Sequence, residues 1–125
     1  MKAALYARVS TVDMQDPEMQ LRALREYCRA RGIDIAGEYV DRTSGVKDRR
    51  ALLDQLMDAA RKRKIDMIAV WKLDRFGRSL KHLVTSLDEL NSLGIVFISY
   101  QENIDLSTPS GRLMFHMIAA MAFER

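Results

Sequence analysis

Short apolar segments alternate with amphipathic helical segments along the whole chain, and that alternation restricts the fold more than any other feature. Residues 3–9 (AALYARV), 33–40 (IDIAGEYV), 66–71 (DMIAVW) and 95–100 (IVFISY) read as strands. Between them, Leu21, Leu24 and Cys28 recur at helical spacing, as do Leu52, Leu53, Leu56, Met57 and Ala60, and then Leu80, Leu83, Val84, Leu87 and Leu90. The ends carry punctuation. Asp16 before Pro17 predicts a capped helix start, Ser79 a second and Thr108 with Pro109 a third, while Gly32 and Gly94 predict stops. Strands joined through helices of this length form parallel pairs. The expected fold is therefore α/β: a mostly parallel four- to five-stranded sheet with helices on both faces. No repeat, linker or low-complexity tract divides the 125 residues, so one domain is expected over 1–125.

The last helix departs from the amphipathic pattern. Residues 113–123 (LMFHMIAAMAF) are apolar except at His116, which leaves no face for water. Two explanations stand: insertion into the domain core, or packing against a partner subunit. The second is favoured, because the helix reaches Arg125 without a stop signal and is expected to be a truncated long helix. The stripe of Met114, Met117 and Met121 suits an adaptable contact surface, although methionine also serves as core filler.

Composition sets the outer limits. Apolar residues make up 48% and charged residues 30%, a globular balance. No apolar run is long enough to span a bilayer, and Met1 and Lys2 lead straight into the first strand, without a signal sequence. The single cysteine, Cys28, has no partner for an internal disulfide, which suits a reducing, cytoplasmic setting. A net charge of +3 leans toward a polyanionic partner. The basic run 61–64 is either a solvated helix end or a contact to a DNA backbone.

In an open parallel sheet, ligands bind beyond the carboxyl ends of the strands. That rule collects residues from four places. The first strand delivers Arg8 and Ser10, whose spacing of two puts both on one side of the strand. After the second come Asp41 and a loop with Ser44, Gly45 and Arg49; after the third, Lys72, Leu73, Asp74, Arg75, Phe76, Gly77 and Arg78; after the fourth, Gln101 and Glu102. A hydroxyl, several arginines and carboxylates on one rim make a phosphate-handling set, since guanidinium forks match phosphate oxygens and carboxylates hold the forks. Arg75 and Arg78 share a face if the segment turns helically, with Asp74 placed to pair with Arg78. Other chemistries lack their residues. No glycine-rich phosphate loop is present, and Cys28, His82 and His116 lack zinc-ligand spacing. Neither histidine sits at a strand end to serve Ser10; His82 is expected on an exposed helix face and His116 in an interface or the core.

Tyr6-Ala7-Arg8-Val9-Ser10, Asp41 with Ser44, Gly45 and Arg49, Leu73-Asp74-Arg75-Phe76-Gly77-Arg78, and Glu124-Arg125 occur in an order and spacing that resembles the resolvase/invertase family of serine recombinases. The resemblance implies that Ser10 is the nucleophile that forms a 5′-phosphoserine link to DNA. It implies that Arg8, Arg75 and Arg78 bind the scissile phosphate, with Arg49 contributing from its loop. Asp41 and Asp74 would orient the arginines, Gln20 (in preference to Gln15) would support the site, and Glu124 would lie near it. Tyr6, Ser44 and Lys72 join this set as supporting or DNA-binding residues. The family needs no metal or other cofactor, acts on double-stranded DNA, and works as dimers that pair into tetramers. It also implies a DNA-binding region after the long helix, absent from these residues. Two readings from other classes remain beside it: a metal-dependent phosphoryl-transfer enzyme using Asp41, Asp74 and Glu102 around Mg²⁺, and a noncatalytic dimerisation or regulatory domain.

Overall fold

A computed structural model describes residues 1–10, 16–43, 50–77 and 79–123, with Asp74, Ala119 and residues 121–123 described through the backbone alone. The elements run β1 (Lys2–Ser10), α1 (Glu18–Ala30), β2 (Asp34–Thr43), α2 (Ala51–Arg61), β3 (Met67–Val70), a short 3-10 turn (Leu73–Arg75), α3 (Leu80–Ser92), β4 (Val96–Ser99), β5 (Ile104–Asp105) and α4 (Pro109–Phe123). The sheet order is β2-β1-β3-β4-β5. Its first four strands are parallel and β5 is antiparallel to β4. No helix among the described residues is long and apolar enough to cross a membrane.

The period-two alternation of β1 sorts its side chains between two cores. Ala3, Leu5 and Ala7 face α1 and pack with Leu21, Leu24 and Cys28. Ala4 and Tyr6 face the other way, into a larger core built from Leu53, Leu56 and Ala60 of α2 and Leu83, Leu87 and Leu90 of α3. Helices therefore cover both faces, as the alternation of elements predicts.

Local signals set the helix ends. The Asp16 carboxylate accepts from Glu18 N at 2.9 Å, and Pro17 already has helical dihedrals (φ −70°, ψ −11°). Ser79 Oγ accepts from His82 N at 3.1 Å, and Thr108 Oγ1 from Gly111 N at 3.0 Å, each satisfying a first-turn amide. Gly32 (φ +65°) and Gly94 (φ +74°) close α1 and α3 in the left-handed region, where a side chain would be strained.

Three expectations need correction. β2 runs to Thr43 rather than stopping near residue 40, because it stays in register with β1 through Ser10 and Thr43. The stretch after β4, expected as a polar loop, contains β5, which buries Ile104. His82 is half-buried and lies 3.5 Å from Ser86 Oγ, rather than exposed.

α4 is not enclosed by this chain. Phe115 and Ile118 pack on the larger core, whereas Leu113, Met114 and Met117 are 61%, 45% and 54% exposed, and His116 is exposed beside them. The core-insertion explanation thus accounts for one side of the helix only. Where α4 meets the sheet, Gly111 lies so close to β5 that an added Cβ would stand 1.8 Å from the Asp105 carbonyl oxygen. Gly111→Ala should therefore destabilise by roughly 1–3 kcal/mol through forced displacement of α4, outweighing the helix-propensity gain. Urea unfolding checks this, with Ser110→Ala on the exposed side expected to stay within about 0.5 kcal/mol of the parent. Equal stability of the Gly111→Ala chain would mean that α4 is not held against β5.

Candidate active site

Strand order reverses around β1: the chain leaves β1 for β2 on one side and returns to β3 on the other. The carboxyl ends of β1 and β3 therefore flank the switch point, where a doubly wound sheet opens a crevice. Ser10 ends β1 there, and Val70 ends β3 just before the turn that carries Arg75. That turn packs against β1.

Parallel register extends the Ser10 face sideways. Arg8 is level with Asp41 and Ser10 with Thr43, and Arg8 Nη1 donates to Thr43 Oγ1 at 3.5 Å. From the first turn of α1, buried Gln20 donates through Nε2 to the Arg8 carbonyl oxygen at 3.4 Å, while its Oε1 receives no hydrogen bond among the described residues.

Beneath this surface lies a buried carboxylate. Asp41 is 4% exposed; its Oδ2 accepts from Tyr6 Oη at 2.8 Å and from Leu53 N at 3.0 Å, and its Oδ1 accepts from Leu52 N at 3.0 Å. It thus caps α2 from a neighbouring strand, where the helix's unpaired amides and dipole favour negative charge. Burial, and then the hydrogen bond to Asp41, push the Tyr6 phenol far above its ordinary value. Tyr6 stays protonated and acts as a donor, not as a base.

The arginine turn is held on this floor by a buried anchor. Phe76 is fully buried, edge-on to Tyr6 at 6.1 Å and to Phe97 at 5.1 Å, a burial worth roughly 1.5–3 kcal/mol. Arg50 Nη1 donates to the Phe76 carbonyl oxygen at 2.7 Å. Glu102 accepts from Leu73 N at 3.2 Å. At Gly77 an added Cβ would stand 2.6 Å from Leu83 Cβ, so only glycine lets the start of α3 approach the turn. Arg75 leaves this turn half-buried, and Lys72, extended and half-buried, precedes it.

The structure thus gathers Tyr6, Arg8, Ser10, Gln20, Asp41, Lys72 and Arg75 at the carboxyl ends of β1, β2 and β3. Ser44, Arg49, Arg78, Glu124 and the alternative glutamine Gln15 lie outside the described residues, as does the Asp74 side chain. The described hydrogen bonds of Asp41 run to Tyr6 and the α2 amides. Sequence reasoning misses two residues. Thr43 reads as loop because polar residues end β2, and Arg50, 3% exposed, is indistinguishable by sequence from its neighbour Arg49. No group of three His, Cys, Asp or Glu side chains among the described residues is placed to hold a metal ion.

Known proteins share this sequence pattern and fold. The family model described as "Resolvase, N terminal domain" matches residues 3–125. The transposon Tn552 DNA-invertase BinR of Staphylococcus aureus is 42% identical over 123 residues, which cover 96% of this chain and 59% of that protein. The serine recombinase gin of Escherichia phage Mu is 42% identical over 117 residues, covering 94% of this chain and 56% of that one. The chain thus spans a little under three-fifths of the length of these relatives. Among solved structures, the N-terminal catalytic domain of TP901-1 integrase superposes with a TM-score of 0.87 at 31% identity, over 98% of this chain and 94% of that one. The chain belongs to the resolvase/invertase family of serine recombinases, as the N-terminal domain of that family.

Proposed function

We propose that this chain is the catalytic part of an enzyme that cuts and rejoins double-stranded DNA in site-specific recombination, with Ser10 as nucleophile. The observation that carries the reading is the placement of Ser10 at the end of β1, on one face with Arg8, in the strand against which the turn that bears Arg75 packs. Relatives named as a DNA-invertase, a resolvase and a serine recombinase support DNA as the substrate.

In this reaction Ser10 Oγ bonds to phosphorus as the bond to the 3′ oxygen breaks, leaving the 5′ phosphate on serine; attack by a 3′ hydroxyl reverses it. One phosphodiester replaces another, so no external energy source is needed. The obstacle is the negative charge around phosphorus. Arg8 and Arg75, with Arg49 and Arg78, supply guanidinium donors whose hydrogen bonds strengthen as charge builds on the nonbridging oxygens. Tyr6 and Asp41 form the floor beneath them, Thr43 and Gln20 steady Arg8, and Lys72 adds positive charge. The family resemblance adds Asp74 for orienting an arginine, Ser44 for the phosphate and Glu124 as a supporting residue. No cofactor takes part. The metal-dependent alternative has less support, since Asp41 is engaged by Tyr6 and α2, and Glu102 by the arginine turn.

A duplex has two strands, so one cut site needs two copies of Ser10, and exchange between two sites needs four. The exposed apolar side of α4 fits that requirement: Leu113, Met114 and Met117 form the surface on which a second copy packs, and dimers then pair into tetramers. Recognition of the DNA sequence falls to the region that follows this domain in longer members of the family.

In the complete protein, Ser10→Ala should abolish cleavage while shifting stability by less than about 1 kcal/mol, because a hydroxyl at a strand end adds little to the core. A denaturing gel of the DNA reaction, run in EDTA, checks this; a covalent protein–DNA species formed by the alanine variant would refute the assignment. Arg75→Ala should slow cleavage by roughly 10²- to 10³-fold, the scale of one transition-state donor. Arg75→Lys should not restore the full rate, because lysine lacks the planar fork. Normal cleavage by both Arg75 variants would remove that residue from the phosphate site. For assembly, Met114→Lys with Met117→Lys should weaken self-association at least tenfold, since buried ammonium groups must be desolvated, and high salt should not weaken the parent contact. Sedimentation equilibrium of this chain reads both effects, and an unchanged association constant in the double variant would move the interface off α4.

A further inference from the structure

The turn that carries Arg75 is too short to hold itself. Its internal hydrogen bonds run from Arg75 N to Lys72 O (3.0 Å), from Phe76 N to Leu73 O (3.0 Å) and from Gly77 N to Leu73 O (3.2 Å). The groups outside that set include the Leu73 amide at the start and the Phe76 carbonyl at the end. Short helical turns leave such groups to other partners, and the partner chosen fixes where the turn can sit.

Both are taken by charged side chains from elsewhere in the fold. Glu102, in the connection between β4 and β5, accepts from Leu73 N, and its carboxylate also receives Ser99 Oγ from the end of β4. Sheet pairing continues past β3 and β4, with Tyr100 N donating to Val70 O and Gln101 N to Trp71 O, both at 2.9 Å, so the base of Glu102 is itself fixed. At the other end of the turn, Arg50 Nη1 donates to Phe76 O at 2.7 Å, a short charge-assisted bond. Arg50 is 3% exposed, and a guanidinium buried to that degree needs compensation. It also stands where α2 begins, beside the amides that Asp41 holds, and adjacent in the chain to Arg49.

We propose that Arg50 and Glu102 are positioning residues for strand cleavage: they clamp the two ends of the 73–77 turn and so set where Arg75 stands relative to Ser10. The clamp does more than brace one loop. Through Arg50 the start of α2 is tied to the backbone of the turn that carries Arg75. Through Glu102 the turn is indexed to the sheet, the same element that holds Ser10. A carboxylate on a rim that receives polyanionic DNA would oppose binding, and its two hydrogen bonds give the reason for its presence. The inference rests on the reading of Ser10 as nucleophile and adds to it the residues that align the phosphate-binding side chains.

The test uses the complete protein and a duplex with its recombination site. The rate of covalent adduct formation is followed in a detergent-quenched single turnover, with DNA affinity measured separately by fluorescence anisotropy. Glu102→Ala should slow adduct formation about 10- to 100-fold, the cost of a small misplacement of a reacting group, with little change in affinity. Glu102→Gln should recover most of the rate, because its amide oxygen can accept from Leu73 N while its NH₂ group donates to Ser99 Oγ. Arg50→Met should lose rate on the same scale, and Arg50→Lys, which restores one donor, should fall between. If Arg50→Met does not fold, the Glu102 pair decides. Parent-like rates in Glu102→Ala, or a Glu102→Gln variant no faster than Glu102→Ala, would overturn the clamp. Absence of any adduct from the parent would instead overturn the nucleophile reading beneath it, so the two failures are distinct.

Discussion

The buried carboxylate of Asp41 joins the parts on which the rest depends. Its two oxygens take hydrogen bonds from a strand on one side, through Tyr6, and from the first turn of α2 on the other, through Leu52 and Leu53. Removing it would leave a phenol and two helix amides without their acceptor in a buried setting, each a cost of about 1–3 kcal/mol. Because those groups belong to β1 and α2, the same bonds fix the direction in which β1 presents Arg8 and Ser10. The aspartate contributes to the site from below, by holding its base rigid.

A layered arrangement follows. Apolar packing forms the lowest layer, with the Phe76 ring against Tyr6 and Phe97 beneath the arginine turn. Above it lies a layer of satisfied buried polar groups: Tyr6, Asp41 and the Arg50 guanidinium on the Phe76 carbonyl. Ser10, Arg8 and the turn that bears Arg75 stand above it, at the carboxyl ends of β1 and β3 that flank the switch point of the sheet. Such an order suits a reaction stabilised by preset positive charge, because donors aimed in advance need no reorganisation when the charge develops. It also explains why a tyrosine so near the site is no candidate base: its burial keeps the proton in place.

The parts of this design that depend on local sequence were legible. Leu21, Leu24 and Cys28 define the buried face of α1, Ser79 caps α3, and Gly32 and Gly94 stop helices because the local backbone requires a positive φ. The position of Ser10 and Arg8 on one face followed from the strand period alone. Long-range pairings were not legible. Nothing near Asp41 in the chain announces that its partners are Tyr6 and the amides of residues 52 and 53. Nothing in the sequence marks Arg50 as the buried arginine that bonds to Phe76 O. β5, with two residues, is too short to show a period. In α4 the all-apolar composition concealed which side the chain itself covers.

The central claim is that the Ser10 hydroxyl bonds covalently to a DNA 5′ phosphate. The most direct measurement is mass spectrometry of the trapped protein–DNA species after nuclease and protease digestion, with fragmentation to locate the residual nucleotide. The account predicts a nucleotide phosphate on Ser10, in reactions assembled without metal. A nucleotide mapped to any other residue of this chain would contradict it.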